Sequence, residues 1–221
     1  MCGRFNLFTS VEMIMDDLNV EDVLFEPSPR YNISPAQTVA AVHQERSRIL
    51  EGFRWGLVPH WSKESGVGII NARVESILEK PSFRYRVMEG RCVIPADGFF
   101  EWGKSKENKI PYYFRRPDGR PLYLGGIWDQ WTPEKGDTLR TCTIITVPSR
   151  EPVSPIHDRM PLMFDVRDAD SFIGHSDRKP EDVMSLMVGS RLELESYRVS
   201  AEVNSPSSEG PHLIEPIREW F

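Results

Sequence analysis

The chain has 221 residues, 39% of them hydrophobic and 27% charged, with a net charge of −6. That length supports one sizeable core and is short for two. There is no apolar run long enough to cross a bilayer and no basic-then-apolar leader, so a membrane protein is not expected. Cys2, Cys92 and Cys142 are odd in number and far apart, with no Cys-x-x-Cys or Cys/His spacing. Neither a disulfide framework nor a zinc site is expected, and a reducing cytoplasm follows as the compartment. The charge is uneven: residues 43–160 carry 19 Lys+Arg against 15 Asp+Glu, and the acid lies towards the ends. This permits a local basic cleft without demonstrating one.

The chain begins Met1-Cys2-Gly3-Arg4-Phe5. If Met1 is removed, the first residue carries a thiol and a free α-amine together. An unperturbed amine titrates near ~8 and a thiol near ~8.5, so both have a reactive fraction at neutral pH. Such a 1,2-aminothiol can attack an acyl carbon with its amine as base. It can also capture an aldehyde as an imine, which sulfur then closes into a thiazolidine. Thr9-Ser10-Val11-Glu12 reads as a capping box, and Val11, Ile14, Met15 and Leu18 follow at helical spacing. Pro27 to Pro35 is a proline-punctuated loop containing Tyr31-Asn32-Ile33-Ser34-Pro35. Strands are expected over Thr38–Val42, Ile49–Val58, Arg91–Ile94, Phe99–Trp102, Tyr112–Arg115, Leu122–Trp128, Cys142–Val147 and Leu194–Val203, with a hairpin at Pro117-Asp118-Gly119. Lys104–Lys109 reads as a polar hairpin tip. Helices are expected near Pro81–Glu89 and from Pro180 to Gly189. The last residues, from Asn204 to Phe221, read as a loop and tail.

Strands outnumber helices and do not alternate with them. The expected fold is therefore α+β: a single domain over residues 1–221, with a curved, barrel-like, mostly antiparallel sheet and short flanking helices. Cys92 and Cys142 fall inside apolar strands and are expected in the core.

Four segments break the pattern of core and surface: Cys2-Gly3-Arg4-Phe5, Ile70-Asn71-Ala72-Arg73-Val74-Glu75, Ala96-Asp97-Gly98-Phe99-Phe100-Glu101-Trp102, and Pro155-Ile156-His157-Asp158-Arg159-Met160-Pro161. Taken singly, a loop histidine or a carboxylate beside tryptophan is more often a surface group than a functional one. In this order, with the Tyr-Asn-x-x-Pro loop, they resemble the SRAP (SOS response-associated peptidase) family, over nearly the whole chain. The resemblance implies a sensor and shield of abasic sites in single-stranded DNA, bonded to the site's aldehyde through Cys2. It implies DNA as the partner, a monomer, and neither cofactor nor metal. For a bacterial protein it implies association with the nucleoid.

In that reading Cys2 is the nucleophile through nitrogen and sulfur. Glu101 is the proton shuttle, its pKa raised by Phe99, Phe100 and Trp102. His157 assists sugar opening, and Asn71 orients the terminal amine or the sugar. Arg4, Arg73 and Arg159 contact phosphates. Pro35 and Trp61 stack beside the lesion, Trp55 being a core residue, and Arg84 and Arg86 follow the backbone. Two other readings remain: a thiol peptidase or amidase using Cys2 as an N-terminal nucleophile, able to remove Met1, and a non-covalent single-strand binder. Only Met1 precedes Cys2, which leaves an autoprotease little to remove.

Overall fold

The computed structural model describes residues 2–104, 109–174 and 179–217. In chain order its strands are β1 (Phe5–Leu7), β2 (Asp22–Val23), β3 (Arg30–Ile33), β4 (Thr38–Gln44), β5 (Arg48–Trp55), β6 (Asn71–Arg73) and β7 (Arg91–Ala96). There follow β8 (Gly98–Lys104), β9 (Lys109–Arg115), β10 (Leu122–Trp131), β11 (Leu139–Pro148), β12 (Arg159–Pro161), β13 (Met163–Phe164) and β14 (Glu195–Arg198). The helices are α1 (Val11–Leu18), α2 (Arg86–Glu89), α3 (Val166–Ile173) and α4 (Pro180–Leu186). Among the described residues no helix is long and apolar enough to cross a membrane.

The larger sheet runs β11-β10-β7-β4-β5 antiparallel, and β5 then pairs parallel with β11 through Thr141↔Arg54 and Cys142↔Trp55. That pairing closes a five-stranded barrel, which leaves those strands no open edge. Gly56 makes the closure possible: its φ is +138°, and a Cβ there would sit 2.1 Å from the Val67 carbonyl oxygen. Cys92, Cys142, Trp55 and Phe53 are fully buried, as their strands predict.

The second sheet has the order β14-β9-β8-β1-β3. Its period-2 alternation explains the aromatic run of β8. Phe99 stacks on Phe114 with centroids 5.0 Å apart and joins the main core. Phe100 and Tyr113 point the other way, into a second cluster with Val199, Val203 and Leu213. That outer cluster is covered by the C-terminal segment.

Several elements differ from expectation. The N-cap of α1 is Ser10, whose Oγ accepts from Met13 N. Thr9 instead donates from its backbone N to Asp97 at 2.8 Å. The helix expected over residues 81–89 is regular only in its last turn, because Pro81 and the residues after it form turns. The strand expected through Val203 ends at Arg198, where Ser200 caps a 3-10 turn over Ala201–Asn204. Residues 204–217 are docked: Tyr197 Oη donates to Ile214 O at 2.9 Å, and Ile217 N to Arg198 O at 3.0 Å. Helix α3 was not expected, although Asp165 caps it and Ala169, Phe172 and Ile173 bury one face. Of the hairpin tip, residues 105–108 lie outside the described residues, and Lys104 pairs with Lys109.

Candidate functional site

The amino terminus enters beside β8. Phe5 pairs with Phe99 and Asn6 with Gly98, and Phe100 N donates to Arg4 O at 2.9 Å. This antiparallel register brings Cys2 alongside Glu101. Gly98 permits the close packing, since a Cβ there would lie 2.5 Å from the Phe114 carbonyl oxygen and from the Tyr113 ring. On the other flank, β6 pairs parallel with β11 and starts at Asn71, whose Nδ2 donates to Cys2 O at 2.9 Å. His157 lies in the turn between β11 and β12, closed by Ser149 N donating to Asp158 O at 3.0 Å.

Cys2, Asn71, Glu101 and His157 therefore converge from four separate segments. Cys2 is fully buried and Glu101 is 2% exposed. Burial pushes the Cys2 thiol well above its ordinary range, and the Glu101 carboxylate adds to that shift. Burial likewise raises the Glu101 carboxyl, while the charges of the amino terminus and of His157 oppose the rise. The expected direction holds, but the aromatic neighbours divide. Strand alternation puts Phe99 on the Glu101 face of β8 and sends Phe100 and Trp102 to the opposite one. Asn71 Oδ1 is buried and has no protein partner among the described residues. Met1 lies outside those residues.

The His157 ring has a partner in either protonation state. Its Nδ1 is 2.9 Å from the Arg159 backbone N, which donates to it, and 3.0 Å from Asp158 Oδ1. In the neutral ring Nδ1 accepts from Arg159, which places the proton on Nε2. In the imidazolium Nδ1–H donates to the Arg159 carbonyl at 3.2 Å, with the Asp158 carboxylate beside it as an ion-pair partner.

The three proposed phosphate-binding arginines are held differently. Arg4 is 8% exposed, and its Nη1 donates to Asn32 Oδ1 at 2.6 Å and to Val203 O at 2.7 Å. Both acceptors are neutral, Nε is buried without a partner, and burial lowers the guanidinium pKa. Its charge is thus not neutralised by any described carboxylate. The guanidinium also sits 5.8 Å from the Trp102 ring centroid. With Gly3, Trp102, Lys109 and Asn204 it lines an open cleft of about 430 Å³. Arg159 is also 8% exposed, but Glu75 holds it with two contacts of 2.5 and 3.0 Å, and Thr146 O accepts from Nη2. Both its Nη groups are engaged, while Nε is buried without a protein partner among the described residues, so a phosphate would have to displace Glu75 to pair with Arg159. Arg73 is exposed.

Trp61 is 58% exposed and shares a separate cleft with His60, Tyr85, Arg84, Arg86 and Asp129. Arg84 lies over the Tyr85 ring at 4.6 Å, and Arg86 approaches Asp129 at 3.7 Å. Pro35 is half-buried, next to Ala36, whose N donates to Trp55 O at 2.7 Å. Trp55 is buried, with Nε1 donating to Ile70 O. Sequence reasoning gave no role to Asn32, Glu75 or Asn204. Their signal was weak, because each acts by a contact with a residue remote in the chain. No group of three or more His, Cys, Asp or Glu among the described residues is placed to hold a metal ion.

The model of the SOS response associated peptidase (SRAP) family matches residues 1–206. The chain belongs to the SRAP family. Among its SRAP relatives, abasic site processing protein YoqW of Bacillus subtilis (strain 168) is 36% identical over 97% of this chain and 99% of its own length. Abasic site processing protein YedK of Escherichia coli (strain K12) is 29% identical over 98% of this chain and its whole length. Abasic site processing protein HMCES of Gallus gallus is 34% identical over 77% of this chain and 58% of its own length. The fold matches an X-ray crystal structure of a protein from Bacteroides thetaiotaomicron, with a TM-score of 0.85 over 98% of this chain and 100% of that one, at 22% identity. The motifs that pointed to this family thus lie on one contiguous fold, with four of them meeting at Cys2.

Proposed function

We propose that this SRAP protein captures the aldehyde of abasic sites in single-stranded DNA through Cys2 and so shields the lesion. The observation that carries the reading is the convergence of buried Cys2 and Glu101 with half-buried Asn71 and His157. The names of its relatives supply the substrate class.

Removal of Met1 frees the Cys2 amine. The neutral amine adds to the sugar aldehyde to give a carbinolamine, which loses water to form an imine. The thiol sulfur then adds to the imine carbon, and its proton passes to nitrogen, closing a thiazolidine with one water released overall. Glu101, whose carboxyl burial raises above its ordinary range, donates to the departing hydroxyl and accepts from the thiol. His157 exchanges a proton with the ring oxygen as the closed sugar opens, and its Nδ1 partners suit it to both halves of that exchange. Asn71 holds the Cys2 backbone and presents Oδ1 to the amine. Arg4 and Arg73 contact flanking phosphates, while Arg159 is an internal anchor. Trp61, exposed on the surface, and Pro35 stack bases beside the lesion.

A thiol peptidase is the second reading, and the family's name favours it. Its nucleophile needs a depressed thiol pKa. The Cys2 shift runs the other way, which supports attack by the amine first. Cys2→Ser separates the readings from a non-covalent binder. The variant is expected to keep salt-sensitive binding and to lose the complex that survives a denaturing gel. A denaturation-resistant complex from Cys2→Ser would falsify the Cys2 linkage. Intact mass of the wild-type adduct should equal the sum of the Met1-less chain and the DNA, less one water.

A further inference from the structure

Asn32 is fully buried in β3, within the Tyr31–Pro35 segment expected to be a loop, and the chemistry above does not use this side chain. Its Oδ1 accepts from Arg4 Nη1 at 2.6 Å. Its Nδ2 donates to the carbonyls of Ser205 at 2.9 Å and Ser208 at 2.8 Å. The segment it grips includes Val203, whose carbonyl accepts from the same Arg4 nitrogen, and Asn204, whose Oδ1 accepts from Trp102 Nε1 at 2.6 Å. One amide thus joins the arginine of the cleft to the chain that forms the cleft's wall.

An amide is what these two tasks require together. The donor half satisfies two carbonyls that a carboxylate would repel. The acceptor half holds a guanidinium without cancelling its charge. Arg159 is the internal contrast, since Glu75 holds it with a carboxylate that offsets the guanidinium's charge. A buried cation held only by neutral dipoles is poorly compensated and favours an anion at its open side. We propose that Asn32 is a positioning residue that keeps Arg4 fixed and un-neutralised for a DNA phosphate, with residues 203–208 as its clamp. This rests on Arg4 being a phosphate contact.

The test is equilibrium binding of the full chain to a single-stranded oligonucleotide bearing a tetrahydrofuran abasic analogue, which has no aldehyde. Fluorescence anisotropy over a sodium chloride series reads the slope of log K against log salt. Loss of one single-strand phosphate contact lowers that slope by about 0.7. Arg4→Ala is expected to do so, and Asn32→Asp to do the same by neutralising Arg4. The double variant Arg4→Ala/Asn32→Ala should match Arg4→Ala. Asn32→Ala should weaken binding severalfold while leaving the slope near wild type, because the charge stays but is no longer held. If Asn32→Asp does not fold, Asn32→Ala in the Arg4→Ala background decides, with no further loss of affinity expected. A wild-type slope in Asn32→Asp beside a reduced slope in Arg4→Ala overturns the role of Asn32 alone, as does a further loss in the double variant. A wild-type slope in Arg4→Ala overturns the phosphate contact and, with it, this inference.

Discussion

At the scale of single residues, burial sets the chemistry. Glu101 is 2% exposed, and its carboxyl is raised chiefly by desolvation. A carboxyl whose pKa is higher in the folded chain than in the unfolded one holds extra protons when folded. It therefore withdraws stability as pH rises through that window. Glu101→Gln should accordingly melt at a higher temperature than wild type at pH 7, and the difference should close below pH ~4. The same variant should form crosslinks at least about 100-fold more slowly, in line with loss of a positioned acid–base group. Thermal melts at several pH values and a gel time course check both halves. A higher melting temperature with an unchanged rate would leave Glu101 no proton-shuttling role. Arg159 and Arg4 show how little exposure alone decides, since each is 8% exposed and only Arg159 is paired with a carboxylate.

At the scale of elements, the site depends on the hold of β1 on β8. Asp97, between β7 and β8, accepts from Phe8 N at 2.5 Å, Thr9 N at 2.8 Å and Thr9 Oγ1 at 2.5 Å. These contacts fix the end of β1 and hence the register that carries Cys2 to Glu101. Asp97→Ala should lower stability by roughly 2–3 kcal/mol, measured by urea denaturation, since hydrogen bonds to a buried charged group are lost. It should also slow crosslinking under conditions where the variant is still fully folded. Much of β8 was readable beforehand, because alternation is a local property. The division of its aromatics between two cores was not, because it depends on the C-terminal segment packing on the outer face. The regular part of the helix near residue 85 was overestimated for a similar reason: Pro81 and the residues after it form turns against the barrel.

At the scale of the whole molecule, the barrel buries a histidine outside the site. His43 is fully buried on β4, against Phe53 and Trp128 with ring centroids 5.2 and 5.0 Å away. Glu51 is 3.2 Å from its Nε2, but Arg140 holds that same carboxylate at 2.5 Å and leaves the ring's charge poorly supported. Burial and the Arg140 charge push the His43 pKa down to about 4. The folded state therefore binds fewer protons than the unfolded one between those values. Stability is fully present above pH ~6.5 and is lost as pH falls towards 4, by up to about 3 kcal/mol. Urea titrations of wild type and His43→Gln should show that slope only in wild type. An equal slope in both would assign the acid sensitivity to other groups.

The order of the motifs and the strand-rich α+β class were legible in the chain alone, from alternation, turn residues and short spacings. The grouping of Cys2, Asn71, Glu101 and His157 came only from the resemblance to the SRAP family, because no local property links four segments so far apart in the chain. Which cation stays uncompensated was decided only by the folded chain. Arg4 meets Asn32 across 28 positions and Val203 across 199, and Arg159 meets Glu75 across 84. The closure of β5 on β11 is equally long-range. Such partners leave no local propensity behind them, because the field around a buried charge is set by whatever the tertiary packing brings beside it.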